Sequence, residues 1–291
     1  MNKGYIKIAL ALLSVAGFMQ NIAFASETDA ATTSNDQVKQ VLHENDEDVQ
    51  QEFYDDPDET KQADKTMFEA LSLVKKHAKD TDDYEIYDKV DDEACIYYKK
   101  VNDVDIGKLE LIIPNSDNYE GIINLLWNPQ GAEHFDGAFI EGRFIRMYNE
   151  NLGILEQRHH CILKSWIGYY HALAKKFKLS ENETAITMAS SNINAHDPKN
   201  TRKFVNPLVK NAKLFNPVIN SAEDIREGQL SKMYINLLGF IIKKEENCVK
   251  ITYIISIDTN LPWLTPNKLI RMGVANKMYD IIKLRSMFQS E

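Results

Sequence analysis

Apolar residues recur along this chain in two rhythms. Between Lys61 and Lys79, Met67, Leu71 and Val74 return at helical spacing, with Phe68 and Ala70 widening the stripe. That spacing predicts an amphipathic helix. Strand-like runs follow at Ala94–Lys99 and Ile106–Ile113, the second closed by Pro114. Tyr119–Trp127 again reads as a helix, carrying Ile122, Ile123, Leu125 and Leu126 up to a stop at Asn128-Pro129. Beyond it, paired runs flank polar turns. Gly142–Tyr148 faces Ile154–His160, Tyr169–Phe177 faces Thr184–Ser191, and Lys232–Ile242 faces Cys248–Asp258. The intervals lack the helix that a parallel crossover needs, so the expectation is one antiparallel meander.

The last two runs are apolar on both faces. Met233, Ile235, Leu237 and Ile241 alternate with Tyr234, Leu238, Phe240 and Ile242. A sheet covered on one side only would alternate more cleanly, so something apolar must fill its concave side. The chain then ends in a helix from about Pro266 to Phe288, with the stripe Ile270, Val274, Met278, Ile281, Leu284 and Phe288. Residues 195–230 fit neither rhythm. Pro198, Pro207 and Pro217 interrupt them, and the segment reads as an insertion between the second and third hairpins.

Charge divides the chain further. The formal net charge of −9 comes from 34 basic and 43 acidic residues. Residues 26–60 hold twelve of the acids and one base, whereas residues 61–291 hold 31 of each. The acidity belongs to a tail, read as a disordered, self-repelling linker over 26–60. Before it, Lys3 and Lys7 precede an apolar run from Ile8 to Phe18, and Ala23-Phe24-Ala25 offers small residues for cleavage. This is the layout of a secretory signal peptide over 1–25, too short to cross a bilayer. Cys95, Cys161 and Cys248 are too few for a disulfide scaffold, and Asn182-Glu183-Thr184 is a glycosylation sequon at a hairpin turn. A neutral folded part is no match for nucleic acid.

Helix, strands, short helix, meander and long terminal helix is the order of an α+β helix-grip fold. Leu125-Leu126-Trp127-Asn128-Pro129, Ser190 closing a strand, and Tyr253–Asp258 followed by Leu261-Pro262-Trp263 resemble the START lipid-transfer pattern. The leader Met1–Ser26 together with Tyr169-Tyr170-His171-Ala172-Leu173-Ala174-Lys175-Lys176 resembles the Plasmodium fam-a proteins, which are secreted, often exported, and carry a START-like domain. The resemblance covers the leader and residues 61–291. It implies a curved antiparallel sheet wrapped on the terminal helix, with one lipid in an internal cavity, phosphatidylcholine or a related phospholipid, and no other cofactor. Two departures stand out. Tyr169-Tyr170-His171 replaces an Arg-Asp pair found in many START domains, and the 195–230 insertion is longer than usual.

A phosphocholine head calls for Arg or Tyr hydroxyls on the phosphate and aromatic faces on the quaternary ammonium. The candidates are Arg143 and Arg146, on opposite faces of their strand so that one at most points inward, Tyr169 and His171 on a shared face, Tyr253, and Trp263 before the terminal helix. Trp127 reads as core and Asp258 as fixing a turn. The terminal helix, through Ile270, Val274, Met278 and Ile281, reads as a gate that swings open at a membrane. The partners so implied are a phospholipid and a transient membrane surface, for a monomeric protein.

An enzyme is the rival reading. His159-His160-Cys161 alone looks like chemistry, but adjacent strand residues point to opposite faces and cannot share a metal. A Cys/His hydrolase assembled across strands is the form such an enzyme would take. An interaction module, an exported antigen on the same scaffold with no transferable lipid, is the other alternative. Gln40-Val41-Leu42-His43-Glu44 resembles the parasite export pattern Arg-x-Leu-x-Glu without its arginine. The expected destination is the parasitophorous vacuole or the host red cell.

Overall fold

The computed structural model describes residues 53–160, 167–261 and 265–289. The leader, most of the acidic tail, Cys161 and Trp263 lie outside them. Helix α1 (Pro57–Lys79) starts where Asp56 accepts a hydrogen bond from the Glu59 N–H at 2.9 Å and Pro57 sets the first turn. It therefore begins four residues before the start expected at Lys61. The linker gives way to structure earlier because Glu59 is held by Arg146 and Tyr148, and the Tyr54 N–H bonds the Met147 carbonyl. The buried face of α1 is Ala63, Met67, Ala70, Leu71 and Val74.

Strands β1 (Glu85–Lys89), β2 (Ala94–Val101) and β3 (Val104–Pro114) precede helix α2 (Tyr119–Trp127). Then come β4 (Phe139–Asn149), β5 (Leu152–His160), β6 (Ile167–Ser180) and β7 (Glu183–Ala189). A one-turn α3 (Glu223–Arg226), β8 (Ser231–Lys232), β9 (Tyr234–Lys244), β10 (Cys248–Asp258) and the terminal α4 (Asn267–Gln289) complete the chain. The ten strands among the described residues form one sheet in the order β1-β2-β3-β10-β9-β7-β6-β5-β4, with β8 parallel to the start of β6. Strands β4 to β7, β9 and β10 are the expected meander, and β1–β3 add to it through β3 against β10. Cys95 on β2 and Cys248 on β10 are free thiols, and Asn182 sits at the β6–β7 turn.

Both sheet faces are covered, which is why β9 and β10 carry apolar residues on both faces. On the inner face Leu109, Leu111, Ile186, Leu238, Phe240, Ile251, Tyr253 and Ile255 meet α2 and α4. On the outer face Leu173, Ala185, Leu237 and Ile254 meet α1 and the insertion. The insertion carries its own apolar anchors, Phe204, Leu208, Val209, Phe215, Ile219 and Ile225, so it is a cover on the outer face.

Two glycines let the helices close. A Cβ at Gly107 on β3 would stand 2.9 Å from the Met278 methyl of α4. One at Gly239 on β9 would stand 2.4 Å from a Val74 methyl of α1. Methionine can yield, but valine is stiff at χ1. Gly239→Ala is therefore expected to lower stability by about 1–3 kcal/mol, read from the urea midpoint, and Gly107→Ala by less.

Candidate functional site

The layer between the inner sheet face and α4 is apolar at one end and polar at the other. Its apolar end is built where Val274, Ala275, Met278, Ile281 and Leu284 of α4 lie over β3 and β10. Tyr253 belongs there, buried and stacked on Phe240 with centroids 4.4 Å apart. Burial raises its hydroxyl well above the ordinary tyrosine range.

The polar end forms over β5 and β6. Tyr170 donates to Gln157 and stacks on His159, centroids 5.8 Å apart, while the Gln157 amide donates to the Pro129 carbonyl at 3.0 Å. Lys277 reaches down from α4 to Asp136, and to the Nδ1 of His159 at 3.1 Å. Burial, then the charge of Lys277, pushes His159 down to about 4. Burial works against ionisation of Asp136, yet the neighbouring His159 and the charge of Lys277 hold its carboxyl below the usual range. Burial and the nearby Asp136 raise Asp280. His160, next to His159, is exposed on the other side of the strand.

Polar ties run along the whole of α4. Arg271 grips Asp105 with two bonds, at 2.8 and 2.7 Å, and Tyr98 donates to the Arg271 carbonyl at 2.8 Å. Tyr279 bonds Asp88, Arg285 pairs with Asp91 and Glu93, and Asn118 donates to the Phe288 carbonyl. Val274, Met278 and Ile281 of the expected gate are buried, and Ile270 is half-buried near the helix start. Trp127 packs half-buried on Phe144, and Asp258 accepts from Asn260 N–H and pairs with Arg202, fixing its turn.

The other lipid candidates fall on the outer face. Tyr169 is fully buried there, its hydroxyl donating to Asp197 at 2.7 Å. His171 beside it bonds Glu156 through Nε2 at 2.7 Å. Arg143 pairs with that same Glu156 at 3.1 Å. Arg146 reaches the Val218 carbonyl at 2.9 Å, pairs with Glu59 and stacks over Tyr54. The two arginines share one face, against the expectation from simple alternation. A register break between Phe144 and Arg146 skips Ile145, setting Arg143 opposite Glu156 and Arg146 opposite Ile154. None of these four side chains reaches the layer under α4.

His171 and Arg143 belong instead to a charge cluster around the buried Glu156. Glu156 lies between His171, Arg143 and Arg158, and Arg158 continues to Asp224 of α3 at 2.7 Å. Burial alone would raise Glu156, but the hydrogen bond from His171 and the two guanidiniums hold it below the ordinary range. Burial pushes His171 down despite that bond. An open cleft of about 460 Å³ lies at the rim, between Glu141, Arg143, Arg158, Asp224 and Gln229.

No family model and no curated protein matches this chain. Solved structures do. Human StAR-related lipid transfer protein 5 superposes with a TM-score of 0.57 at 8% identity, over 79% of this chain and 98% of that one. Human STARD10 gives 0.52 at 12%, over 73% and 76%. The lipid transfer and protein localization domain of human StarD13 gives 0.50 at 12%, over 76% and 96%. The chain thus has the helix-grip fold of the START domains, a curved antiparallel sheet gripping its C-terminal helix.

Proposed function

We propose that this chain is a secreted carrier that holds one lipid between the sheet and α4, and that phosphatidylcholine is its first candidate. The observation that carries the reading is the two-ended layer under α4. Acyl chains suit Met278, Ile251, Ile255 and Leu109, and a headgroup suits the end where Tyr170, Gln157, His159, Asp136 and Lys277 converge. Two of its fold neighbours are a lipid transfer protein and a lipid transfer domain, which supports the same reading.

Each buried methylene is worth about 0.8 kcal/mol against water, but a bilayer hides it equally well. Exchange between membrane and protein is then close to neutral, and selectivity rests on the polar end. The gate is α4, because its ties to Asp105, Asp136, Asp88 and Asp91 are polar and exchangeable, whereas its apolar stripe needs a membrane when it leaves the sheet. Binding rather than chemistry is proposed, since His159 serves as a tie to α4. The leader and the Tyr169–Lys176 segment support a fam-a-like protein, monomeric, working in the parasitophorous vacuole or the host red cell.

Native mass spectrometry of the purified chain after exposure to mixed phospholipid vesicles tests this. The expected spectrum shows one added phosphatidylcholine mass, reduced when Met278→Lys charges the apolar end of a still-folded protein. A bare mass under all conditions would overturn it.

A further inference from the structure

The sheet has two edges, and they are finished differently. At one edge β4 carries three register breaks, and its Met147 carbonyl is taken by Tyr54 N–H. At the other, β1 pairs with β2 through a single break and has no neighbour on its outer side among the described residues. Its apolar side chains are also exposed. Ile86 is 67% exposed, Tyr87 45%, and Val90 just beyond it 42%. Ile86 stands opposite Tyr97 while Tyr87 packs on Tyr98, so apolar surface flanks the open edge on both sides. An open apolar edge is a template for one more strand.

Charge decides which strand. Residues 80–93 hold eight acids and one base, Lys89. Lys99 takes up Asp80, Arg285 takes up Asp91 and Glu93, and Lys89 takes up Asp92. Asp82 and Glu85 are exposed, with no cation in ion-pair range among the described residues. A second copy pairing edge to edge would bring two such net-negative segments together. The chain's own tail, with eight acids and one base over 26–52, is repelled as well, and so is an anionic membrane.

We propose that β1 is a docking edge for a basic, extended polypeptide segment, which adds as a strand beside Glu85–Lys89. Backbone bonds to β1 hold it, Ile86 and Tyr87 flank its alternate side chains, and Asp82 and Glu85 take its cations. Asp88 of β1 also ties α4, but the docking edge does not rest on the lipid reading and stands whether or not a lipid is carried there.

The test uses the full chain and two short synthetic peptides, one alternating lysine with valine and one alternating glutamate with valine. The lysine peptide is expected to bind, to weaken as salt is added, and to slow amide hydrogen exchange in β1. The double variant Glu85→Lys/Ile86→Lys, whose two side chains are exposed, is expected to keep its thermal midpoint and lose about tenfold or more in affinity. Ile140→Lys on the opposite edge is expected to change nothing. Equal binding of the glutamate peptide, protection that maps to β4 or elsewhere, unchanged affinity in the double variant, or no binding at all would each overturn the proposal.

Discussion

Replacing Glu156 with alanine is expected to destabilise the protein by about 3–5 kcal/mol. The carboxylate side chain is 2% exposed and is shared by His171, Arg143 and Arg158. Arg143 is half-exposed and can turn to water, but Arg158 and His171 cannot. Truncation leaves His171 buried without its acceptor and leaves Arg158 with Asp224 and Glu141 alone, and the loss is larger than the pair itself is worth, because desolvation of the surviving groups is less fully offset. Glu156→Gln retains an oxygen for the guanidiniums, so its cost is expected to be roughly 2 kcal/mol. Urea midpoints of the two variants give the comparison. Limited proteolysis adds a local readout, since Arg158 ties α3 of the insertion to the sheet, and cuts within 195–230 are expected to appear first in Glu156→Ala. Equal stability of Glu156→Ala and the parent would show that the cluster holds nothing together.

That cluster also shows where reading the sequence stops. Periodicity places α2 and α4 to within a residue, because each carries an uninterrupted stripe between a start signal and a stop. It places β9 and β10 and detects that both their faces are covered. It misses β1, whose Glu85-Ile86-Tyr87-Asp88-Lys89 has one buried side at most and looks like turn. Arg143 and Arg146 are assigned to opposite faces because a register break is a property of two strands, and Ile145 gives no local sign of being skipped. Tyr169 and His171 look inward because the insertion, broken by Pro198, Pro207 and Pro217, has no period that reveals Phe204, Leu208 and Phe215 as a cover. The polar end of the inner layer is missed as well. Lys277 stands between Val274 and Met278 on the buried stripe of α4, and a lysine there needs an acid beneath it. The chain supplies Asp136 from a loop that no pattern connects to α4.

Acidification from pH 7 to 5 is expected to remove about 2 kcal/mol of stability through His159 alone. Its pKa is lowered from 6.5 to about 4 in the folded protein by burial and by Lys277. Between those values the unfolded chain takes up a proton that the folded chain refuses, so stability falls as the pH falls from about 6.5 to 4. Burial lowers His171 and His77 too, and both act in the same direction. Asp280, raised by burial, binds its proton earlier in the folded state and offsets part of the loss near the lower end. Asp136 and Glu156, held below the carboxylate range, add their losses only under about pH 4. Urea titrations at the two pH values measure the slope, and His159→Gln, which keeps an acceptor for Lys277, is expected to flatten it. An unchanged slope in that variant would assign the acid response to the outer-face histidines. Because His159 and Lys277 meet across the seam between β5 and α4, protonation there places two cations side by side against Asp136. The terminal helix is then the element expected to loosen first, with hydrogen exchange rising in α4 before it rises in β9 or β10.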